Sequence, residues 1–278
     1  MGKVIALLTD FGVTDTYVGV MKAVMLDICP DAQFVDLTHA IEPQNIRHGA
    51  FALLNSYRYL PANATLLVVV DPGVGSDRRP IAVRTEKYDF VGPDNGVLSY
   101  ALDQLGGTQT AVELKNPAYR LTGMSATFHG RDIFAPAAAY LASGVPLQDL
   151  GQVIDQLVKL EPPLQLIGRD IIEGEVLHVD HFGNLITSIG LLRWESPQLL
   201  RLLPTNGEPE QYIRADRVVV DIGGQELRSL QRSFSHAEIG DPLAYVGSSG
   251  YLEVGINQGS FAAQFDIRPG DAVALMLN

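Results

Sequence analysis

The stretch that decides the fold reads Leu66-Leu-Val-Val-Val70-Asp71-Pro-Gly-Val-Gly-Ser-Asp-Arg78-Arg79-Pro80 and continues as Ile81-Ala-Val-Arg84. The unbroken apolar run at its start is typical of a strand that is buried on both faces of a parallel sheet. An acid, a turn rich in glycine and proline, and two arginines follow it directly. Because ligands bind at the carboxyl ends of strands in open α/β sheets, Asp71 and Arg78 are candidate site residues.

Strand and helix patterns alternate through the first part of the chain, which predicts a three-layer α/β domain with a mostly parallel central sheet. Besides Leu66–Val70, the expected strands are Lys3–Thr9, Phe34–Leu37, Ile81–Arg84 and Asp89–Val91. The expected helices are Thr16–Ile28, Ile46–Tyr59, Val97–Leu105 and Asp132–Leu141.

Helical spacing largely disappears after Glu161-Pro-Pro163. Strands separated by glycine-rich turns are predicted over Ile171–Ile189, Gln211–Ile222, Leu243–Tyr245 and Tyr251–Val254. We therefore expect an α/β domain over 1–162 that carries the chemistry, and a smaller all-β domain over 170–278 that contributes further substrate contacts.

Composition narrows the classes of partner. The 278 residues carry a formal net charge of −12, which argues against a nucleic-acid partner, because such binding depends on Lys and Arg neutralising phosphates. The single cysteine, Cys29, lies in an apolar pattern and is expected to be a buried thiol rather than part of a disulfide framework. With no run of transmembrane length and no signal-peptide pattern, the sequence predicts a soluble, cytoplasmic protein without a membrane partner.

Two motifs that resemble ligand sites do not fit them. The Gly73-Val-Gly75 turn matches neither the dinucleotide-binding fingerprint nor the phosphate-binding P-loop. In His178-Val-Asp180-His181, only two of the three polar side chains share a face of a strand, so a metal site is not expected there. We expect no cofactor.

A second polar segment, Thr127-Phe-His-Gly-Arg-Asp132, supplies an imidazole at His129. Together, Asp71, Arg78 and His129 suit general-base activation of a small nucleophile. The carboxylate orients or deprotonates water, the imidazole shares the proton, and the guanidinium stabilises developing hydroxide. The alternative is a structural Asp71–Arg78 ion pair that braces the turn. The acids Asp36 and Asp94 are interpreted as turn or helix-cap residues.

These residues lie within a pattern that resembles the S-adenosylmethionine hydroxide adenosyltransferases, also called adenosylmethionine hydrolases, which are related to fluorinase and chlorinase. The similar segments are Leu8–Gly12, Asp15–Lys22, Val70–Gly75, Gly92–Leu98, Thr127–Phe134, Phe182–Asn184, Ser248–Leu252 and Asn257–Ser260. The resemblance implies a seven-stranded sheet in the first domain, a β domain after it, and a homotrimer with active sites between neighbouring subunits. It also implies attack of water on C5′ of S-adenosylmethionine, which yields adenosine and L-methionine.

The resemblance implies that Asp71, Arg78 and His129 are the water-activating trio. The halogenating relatives carry other residue types at the Asp and His positions, so this chain is expected to be a hydrolase that needs no cofactor. A halogenase and a non-catalytic protein that binds an adenosyl ligand are the alternatives.

Substrate contacts are implied in the same way. Asp10 corresponds to the acid that binds the ribose diol, Asn184 to the residue that reads the adenine edge, and Phe182 and Phe234 to aromatic walls, with simple core packing as the alternative for the two aromatics. The remaining substrate-binding candidates are Asp180, expected to pair with the methionine ammonium, Ser248, Ser249 and Asn257.

Two positions depart from the halogenating relatives. Gln44 stands where they carry a large aromatic residue, and Ser249 stands where they carry the arginine that binds the methionine carboxylate. In this chain Ser248, Ser249 and local backbone amides are therefore the candidates for holding that carboxylate.

Overall fold

The strand predicted over Leu66–Val70 forms as Thr65–Val69, and every one of its residues is buried. The computed structural model of the protein describes residues 3–204 and 209–277. The strand pairs in parallel with Lys3–Thr9 on one side and with Asp89–Pro93 on the other. The apolar run thus lies inside the first sheet, as its composition requires.

The first sheet has seven strands, as the family resemblance implies, in the order β2-β1-β3-β5-β4-β6-β7. They are β1 (Lys3–Thr9), β2 (Ala32–Thr38), β3 (Thr65–Val69), β4 (Pro80–Arg84), β5 (Asp89–Pro93), β6 (Thr110–Glu113) and β7 (Gln152–Ile154). The pairs β2–β1, β1–β3 and β3–β5 are parallel, whereas β5–β4, β4–β6 and β6–β7 are antiparallel. The sheet is therefore mixed, with β4 and β7 running against the other strands.

Helices cover both faces of this sheet, which confirms the three-layer prediction. They are α1 (Tyr17–Ile28), α2 (Ile46–Ser56), α3 (Ser99–Gln104) and α4 (Ala135–Ala142). Apolar side chains of α1 and α4 pack on one face, and those of α2 and α3 pack on the other. Cys29, directly after α1, is fully buried in the first of these cores, as expected. Burial of this kind is the main source of stability of such a domain.

The second part of the chain is β-rich. Its strands are β8 (Gln165–Ile167), β9 (Ile171–Val179), β10 (Leu185–Thr187), β11 (Leu192–Trp194), β12 (Leu199–Leu202), β13 (Gln211–Arg214), β14 (Val218–Ile222), β15 (Gln225–Arg228), β16 (Leu230–Gln231), β17 (Pro242–Val246), β18 (Leu252–Ile256) and β19 (Ala272–Leu277). They form a nine-stranded sheet and a three-stranded sheet, β11-β12-β13. The nine-stranded sheet follows the order β15-β14-β19-β9-β10-β18-β17-β16, with β8 beside β9.

Three expectations about the second part need refinement. The run Ile171–Ile189 is two strands, β9 and β10, joined by a turn at Asp180–Asn184, and Gln211–Ile222 likewise divides into β13 and β14. A short helix, α5 (Phe261–Phe265), also interrupts the β structure, and its Phe261 side chain is fully buried. This helix contributes to the β-rich core rather than forming a separate layer.

The chain divides into two compact units, Met1–Glu161 and Pro162–Asn278. Over the residues that the structure describes, no helix is both long enough and apolar enough to cross a membrane.

The contact between β3 and β5 requires glycine at position 92. A Cβ on Gly92 would lie 2.3 Å from the Val68 carbonyl oxygen, which belongs to the backbone and cannot rotate away. We expect Gly92→Ala to lower the free energy of unfolding by about 3 kcal/mol in a denaturant titration. As the control, Gly19→Ala in helix α1 meets no atom within 4 Å and is expected to raise stability by about 1 kcal/mol. Equal effects of the two substitutions would contradict the close approach of the strands.

Candidate active site

Two of the predicted acids follow the carboxyl ends of neighbouring parallel strands. Strands β1 and β3 are paired with Thr9 opposite Val69, so Asp10 and Asp71 both lie just beyond the same edge of the sheet. This is the edge at which open α/β sheets bind ligands. Asp71 begins a loop over residues 71–78, which is called the catalytic loop below because it carries two of the predicted catalytic residues.

Arg78 lies between Asp71 and His129 and contacts both. Its Nε donates to the two Asp71 carboxylate oxygens at 2.9 and 3.0 Å, and its Nη2 donates to Oδ2 as well. The same Nη2 lies 2.8 Å from His129 Nδ1. The side chains of Asp71 and Arg78 are only 5% and 9% exposed, and the guanidinium stacks 5.1 Å from the centre of the Phe134 ring. The structure therefore brings the three predicted catalytic side chains into one hydrogen-bonded cluster.

Glycine allows the catalytic loop to approach the segment that carries the histidine. Gly75 has φ of +80°, and a Cβ at this position would lie 2.7 Å from the Ala126 carbonyl oxygen. His129 immediately precedes a π-helical turn over Gly130–Phe134. Helical structure thus begins two residues earlier than the predicted start at Asp132. Such turns are rare and are frequently found at functional sites.

Hydrogen bonds determine the tautomer of His129. An arginine guanidinium only donates hydrogen bonds, so the Nδ1 that contacts Arg78 must be the acceptor. Burial lowers the pKa of His129 below its usual value near 6.5, and the Arg78 cation lowers the pKa further, against the opposing charges of Asp71 and Asp132. The imidazole is therefore neutral at neutral pH, with its proton on Nε2.

A neighbouring acid holds the segment around His129 in place. Asp132 accepts from Arg131 Nε at 2.6 Å and from the Ser125 backbone N–H at 2.7 Å. Burial alone would raise the pKa of the Asp132 carboxyl, but these two hydrogen bonds hold it below its usual value. Arg131 also stacks on Phe128, with Cζ 5.1 Å from the ring centre.

A cavity of about 380 Å³ opens beside the cluster. Asp71 and His129 line it together with three aromatic rings, Phe11, Tyr17 and Phe128, which contact one another edge to face at centroid distances of 5.2–6.0 Å. These three aromatic residues were not among the predicted site residues, although each lies within one of the segments that resemble the family. They give the cavity an apolar wall next to the ionisable groups.

Asp10 is not among the described residues that line this cavity, although its neighbour Phe11 is. Its Oδ2 accepts from the Gln44 backbone N–H at 2.8 Å. The preceding Thr9 is fully buried, and its Oγ1 lies 2.8 Å from His39 Nδ1. His39 in turn accepts from the Gly12 N–H through its carbonyl oxygen at 2.7 Å. The loop that carries Asp10 is thus held by hydrogen bonds on both sides of the acid.

In the second unit, Asp180 and Asn184 form one hydrogen-bonded turn between β9 and β10. Asp180 Oδ1 accepts from the backbone N–H groups of Phe182 and Asn184 at 2.9 and 2.8 Å. Its Oδ2 accepts from the Asn184 side-chain Nδ2 at 2.8 Å. The carboxylate therefore orients the Asn184 side-chain amide, which is nearly buried.

A second cavity, of about 550 Å³, lies in this unit. Its lining includes four predicted substrate-binding residues: Phe182, Asn184, Phe234 and Asn257. Phe182 is 73% exposed, so it is not part of the core, which was the alternative considered for it. Phe234 packs on Tyr245, with the ring centroids 4.9 Å apart. Asn257 donates through Nδ2 to the Ala237 carbonyl oxygen at 2.8 Å.

Ser248 and Ser249 lie in the turn between β17 and β18, and within the described residues they do not line either cavity.

The Glu253 side chain packs against Gly247, the glycine that precedes this turn. A Cβ on Gly247 would lie 1.7 Å from Glu253 Oε1. Burial and the nearby Asp180 raise the pKa of Glu253, while a hydrogen bond from Tyr245 acts in the opposite direction. Glu253 was not among the predicted site residues, because nothing in its local pattern distinguishes it from an ordinary strand residue.

Across residues 3–204 and 209–277, no group of three or more His, Cys, Asp or Glu side chains is arranged to hold a metal ion.

The first unit has an α/β fold with an Asp, an Arg and a His side chain joined by hydrogen bonds at the edge of a cavity, and a cluster of this kind is typical of an enzyme active site. Comparison with known proteins specifies the class. Residues 5–151 match the family model for the SAM hydroxide adenosyltransferase N-terminal domain, and residues 174–274 match that for the C-terminal domain. The chain belongs to the SAM hydroxide adenosyltransferase family.

Individual relatives agree with this family. A protein from Salinispora arenicola named (R)-S-adenosyl-L-methionine hydrolase is 40% identical over 270 residues, covering 96% of this chain and 95% of its own. The fluorinase of Actinopolyspora mzabensis is more distant, at 28% identity over 298 residues, covering 97% and 96% of the two chains. The crystal structure of an uncharacterized conserved protein from Thermotoga maritima has a TM-score of 0.84 and 32% identity, covering 98% of this chain and 99% of that chain.

The tautomer and pKa of His129 are directly measurable. We expect ¹⁵N NMR of histidine-labelled protein to show His129 protonated on Nε2, with a pKa below 6.5. Arg78→Gln should move this pKa part of the way back toward 6.5, because the cation is removed while burial remains. A His129→Gln sample assigns the signal among the six histidines. A proton on Nδ1, or a pKa above 6.5, would contradict the geometry.

Proposed function

We propose that this protein hydrolyses S-adenosyl-L-methionine to adenosine and L-methionine, with Asp71, Arg78 and His129 as the catalytic residues. The single observation that carries the proposal is the placement of Arg78 between Asp71 and a neutral His129 at the edge of a cavity. The names of the relatives with about 40% identity support the same reaction. Because those names specify the (R) epimer, this epimer is the first substrate to test.

In this reaction the step that needs catalysis is the activation and alignment of the nucleophile. Water oxygen forms a bond to C5′, the C5′–S bond breaks, and its electron pair remains on sulfur, so the sulfonium leaves as the neutral thioether of methionine. No acid is needed for this leaving group. The enzyme therefore has to align a water molecule with C5′ and accept its proton.

Each member of the cluster has a separate task. The Nδ1 lone pair of His129 is engaged by Arg78, so the proton of water passes to the Asp71 carboxylate, which keeps unused lone pairs. The Nε2–H of His129 is free to orient the water oxygen. Arg78 keeps both partners in place and offsets the negative charge that develops on the nucleophile.

Substrate recognition is proposed for residues of both units. Asp10 would accept hydrogen bonds from the ribose diol, Asn184 would read the adenine edge, and Phe182 and Phe234 would flank the nucleoside. The methionine end would be held by the remaining candidates, which are Asp180, Ser248, Ser249 and Asn257. We further propose that the enzyme acts as a homotrimer in which a neighbouring subunit completes each site, and that it needs no cofactor.

Isotope labelling tests the reaction. Purified protein is incubated with the (R) and (S) sulfonium epimers of S-adenosyl-L-methionine in H₂¹⁸O, with and without fluoride or chloride. We expect ¹⁸O in the 5′-hydroxyl of adenosine. A halogenated adenosine formed faster than adenosine would indicate a halogenase, and stoichiometric ligand retention without turnover would indicate a binding protein. Either of these outcomes would overturn the proposed function.

Substitutions separate catalysis from binding. We expect Asp71→Asn and His129→Gln each to lower kcat by about 100-fold or more, because each removes one group that handles the water. The affinity for S-adenosylmethionine, measured by calorimetry on the inactive variants, should remain within about threefold. Asp77→Asn, which alters an exposed acid of the same loop, is the matched control and should leave kcat unchanged. Parallel losses of affinity and rate would mean that the cluster only shapes the pocket.

A further inference from the structure

The dipeptide Asp94-Asn95, in the turn that follows β5, contacts both ends of the catalytic loop. The side chain of Asp94 binds Arg79, the residue directly after Arg78. The side chain of Asn95 binds the carbonyl oxygen of Val70, the residue directly before Asp71. The two anchored positions therefore flank the acid and the guanidinium of the proposed catalytic cluster.

The contact at the Arg79 end is made through side chains and backbone together. Arg79 Nε donates to Asp94 Oδ2 at 2.8 Å, Nη2 donates to the same oxygen, and the Asp94 backbone N–H donates to the Arg79 carbonyl oxygen at 2.9 Å. The other oxygen of Asp94 accepts from the Val158 N–H at 2.8 Å. With its side chain only 2% exposed, Asp94 is a buried charge whose partners are all in place.

At the Val70 end, the side-chain amide of Asn95 has only one possible orientation. Asn95 Nδ2 donates to the Val70 carbonyl oxygen at 2.8 Å, and Asn95 Oδ1 accepts from the Val97 N–H at 3.1 Å. Because one partner only accepts and the other only donates, the side-chain amide cannot be reversed. Asn95 thus fixes the backbone one residue before the catalytic acid.

Besides the side-chain bonds between Asp71 and Arg78, the loop between these anchors has short-range hydrogen bonds of its own. Val74 N–H donates to the Asp71 carbonyl oxygen at 3.2 Å, and Ser76 N–H donates to the Gly73 carbonyl oxygen at 3.0 Å. The glycines at 73 and 75 give this segment a wide range of backbone conformations. The hydrogen bonds between the Asp71 and Arg78 side chains join the two ends of the loop, but the backbone positions from which these side chains extend depend on where the loop ends are held.

We propose that Asp94 and Asn95 are positioning residues that set the geometry of Asp71 and Arg78, and through Arg78 that of His129; as a statement about catalysis, this rests on the proposed function. Among the described residues, neither of the two lines the cavity beside the proposed catalytic cluster. A displacement of about 1 Å in a catalytic group can cost up to about 100-fold in rate, so a loss of either anchor should be visible in kcat.

The same hairpin offers a matched control. Arg84 and Asp89 face each other at the opposite end of the β4–β5 ladder and form a similar two-bond ion pair, with distances of 2.8 and 2.7 Å. This pair has no contact with the catalytic loop among the described residues. Asp89→Asn therefore removes an equivalent ion pair from the same two strands without releasing the loop.

The kinetic test compares Asp94→Asn, Asn95→Asp and Asp89→Asn. The first two should lower kcat at least about tenfold while KM stays within about threefold, because substrate contacts are left intact. Asp89→Asn should stay within about twofold of the wild-type kcat. If Asp94→Asn does not fold, Arg79→Lys is tested in its place. The Arg79 side chain is one-third exposed, and lysine keeps its positive charge but lacks the planar guanidinium that donates two hydrogen bonds to Asp94.

A second readout does not depend on turnover. When the loop ends are released, Arg78 moves away from His129, so the NMR-determined pKa of His129 should rise toward 6.5 in the Asp94 (or Arg79) and Asn95 variants but not in Asp89→Asn. If the wild-type protein does not hydrolyse S-adenosylmethionine, the proposed function fails and this titration alone decides the role of the dipeptide. Folded variants with a wild-type His129 pKa, or an equal change in Asp89→Asn, would overturn the inference.

Discussion

The interaction on which the proposed site depends is the double contact of one guanidinium. Arg78 binds both Asp71 and His129. Because its guanidinium can only donate hydrogen bonds, both neighbours must act as acceptors. It keeps the carboxylate in a fixed orientation and leaves the imidazole with a proton on Nε2. The fold makes this contact possible in two ways. A buried strand leads directly to Asp71, and the glycine at position 75 allows the catalytic loop to lie close to the segment that carries His129.

The state of the histidine is consistent with the proposed activation of water. In that proposal, a neutral imidazole beside a cation orients water without adding positive charge that would repel a sulfonium. The proposed substrate supplies its own good leaving group, so a single carboxylate would be sufficient to take the proton. The aromatic wall formed by Phe11, Tyr17 and Phe128 provides an apolar surface beside these groups, which strengthens their electrostatic effect.

Local patterns were sufficient for some of these features and not for others. The apolar run before Asp71 and the helical spacing of α1 and α2 are properties of contiguous residues, and both predictions are confirmed. Arg78 and His129 are 51 residues apart, so residue types and the family resemblance could suggest that they act together, but not that they share a hydrogen bond. Asp94 is in a turn, as interpreted, but its pairing with Arg79 depends on the β4–β5 register. Asp36, interpreted in the same way, lies instead in β2 and pairs with Lys22.

The central claim is that the active form of His129 is neutral and accepts a hydrogen bond from Arg78. The pH dependence of kcat/KM tests it most directly, since this quantity reports groups of the free enzyme. The account predicts that activity is constant above pH 6.5 and falls in acid with a midpoint below that value, and that His129→Gln lacks this decline. A midpoint above 6.5, or an identical decline in the variant, would contradict it.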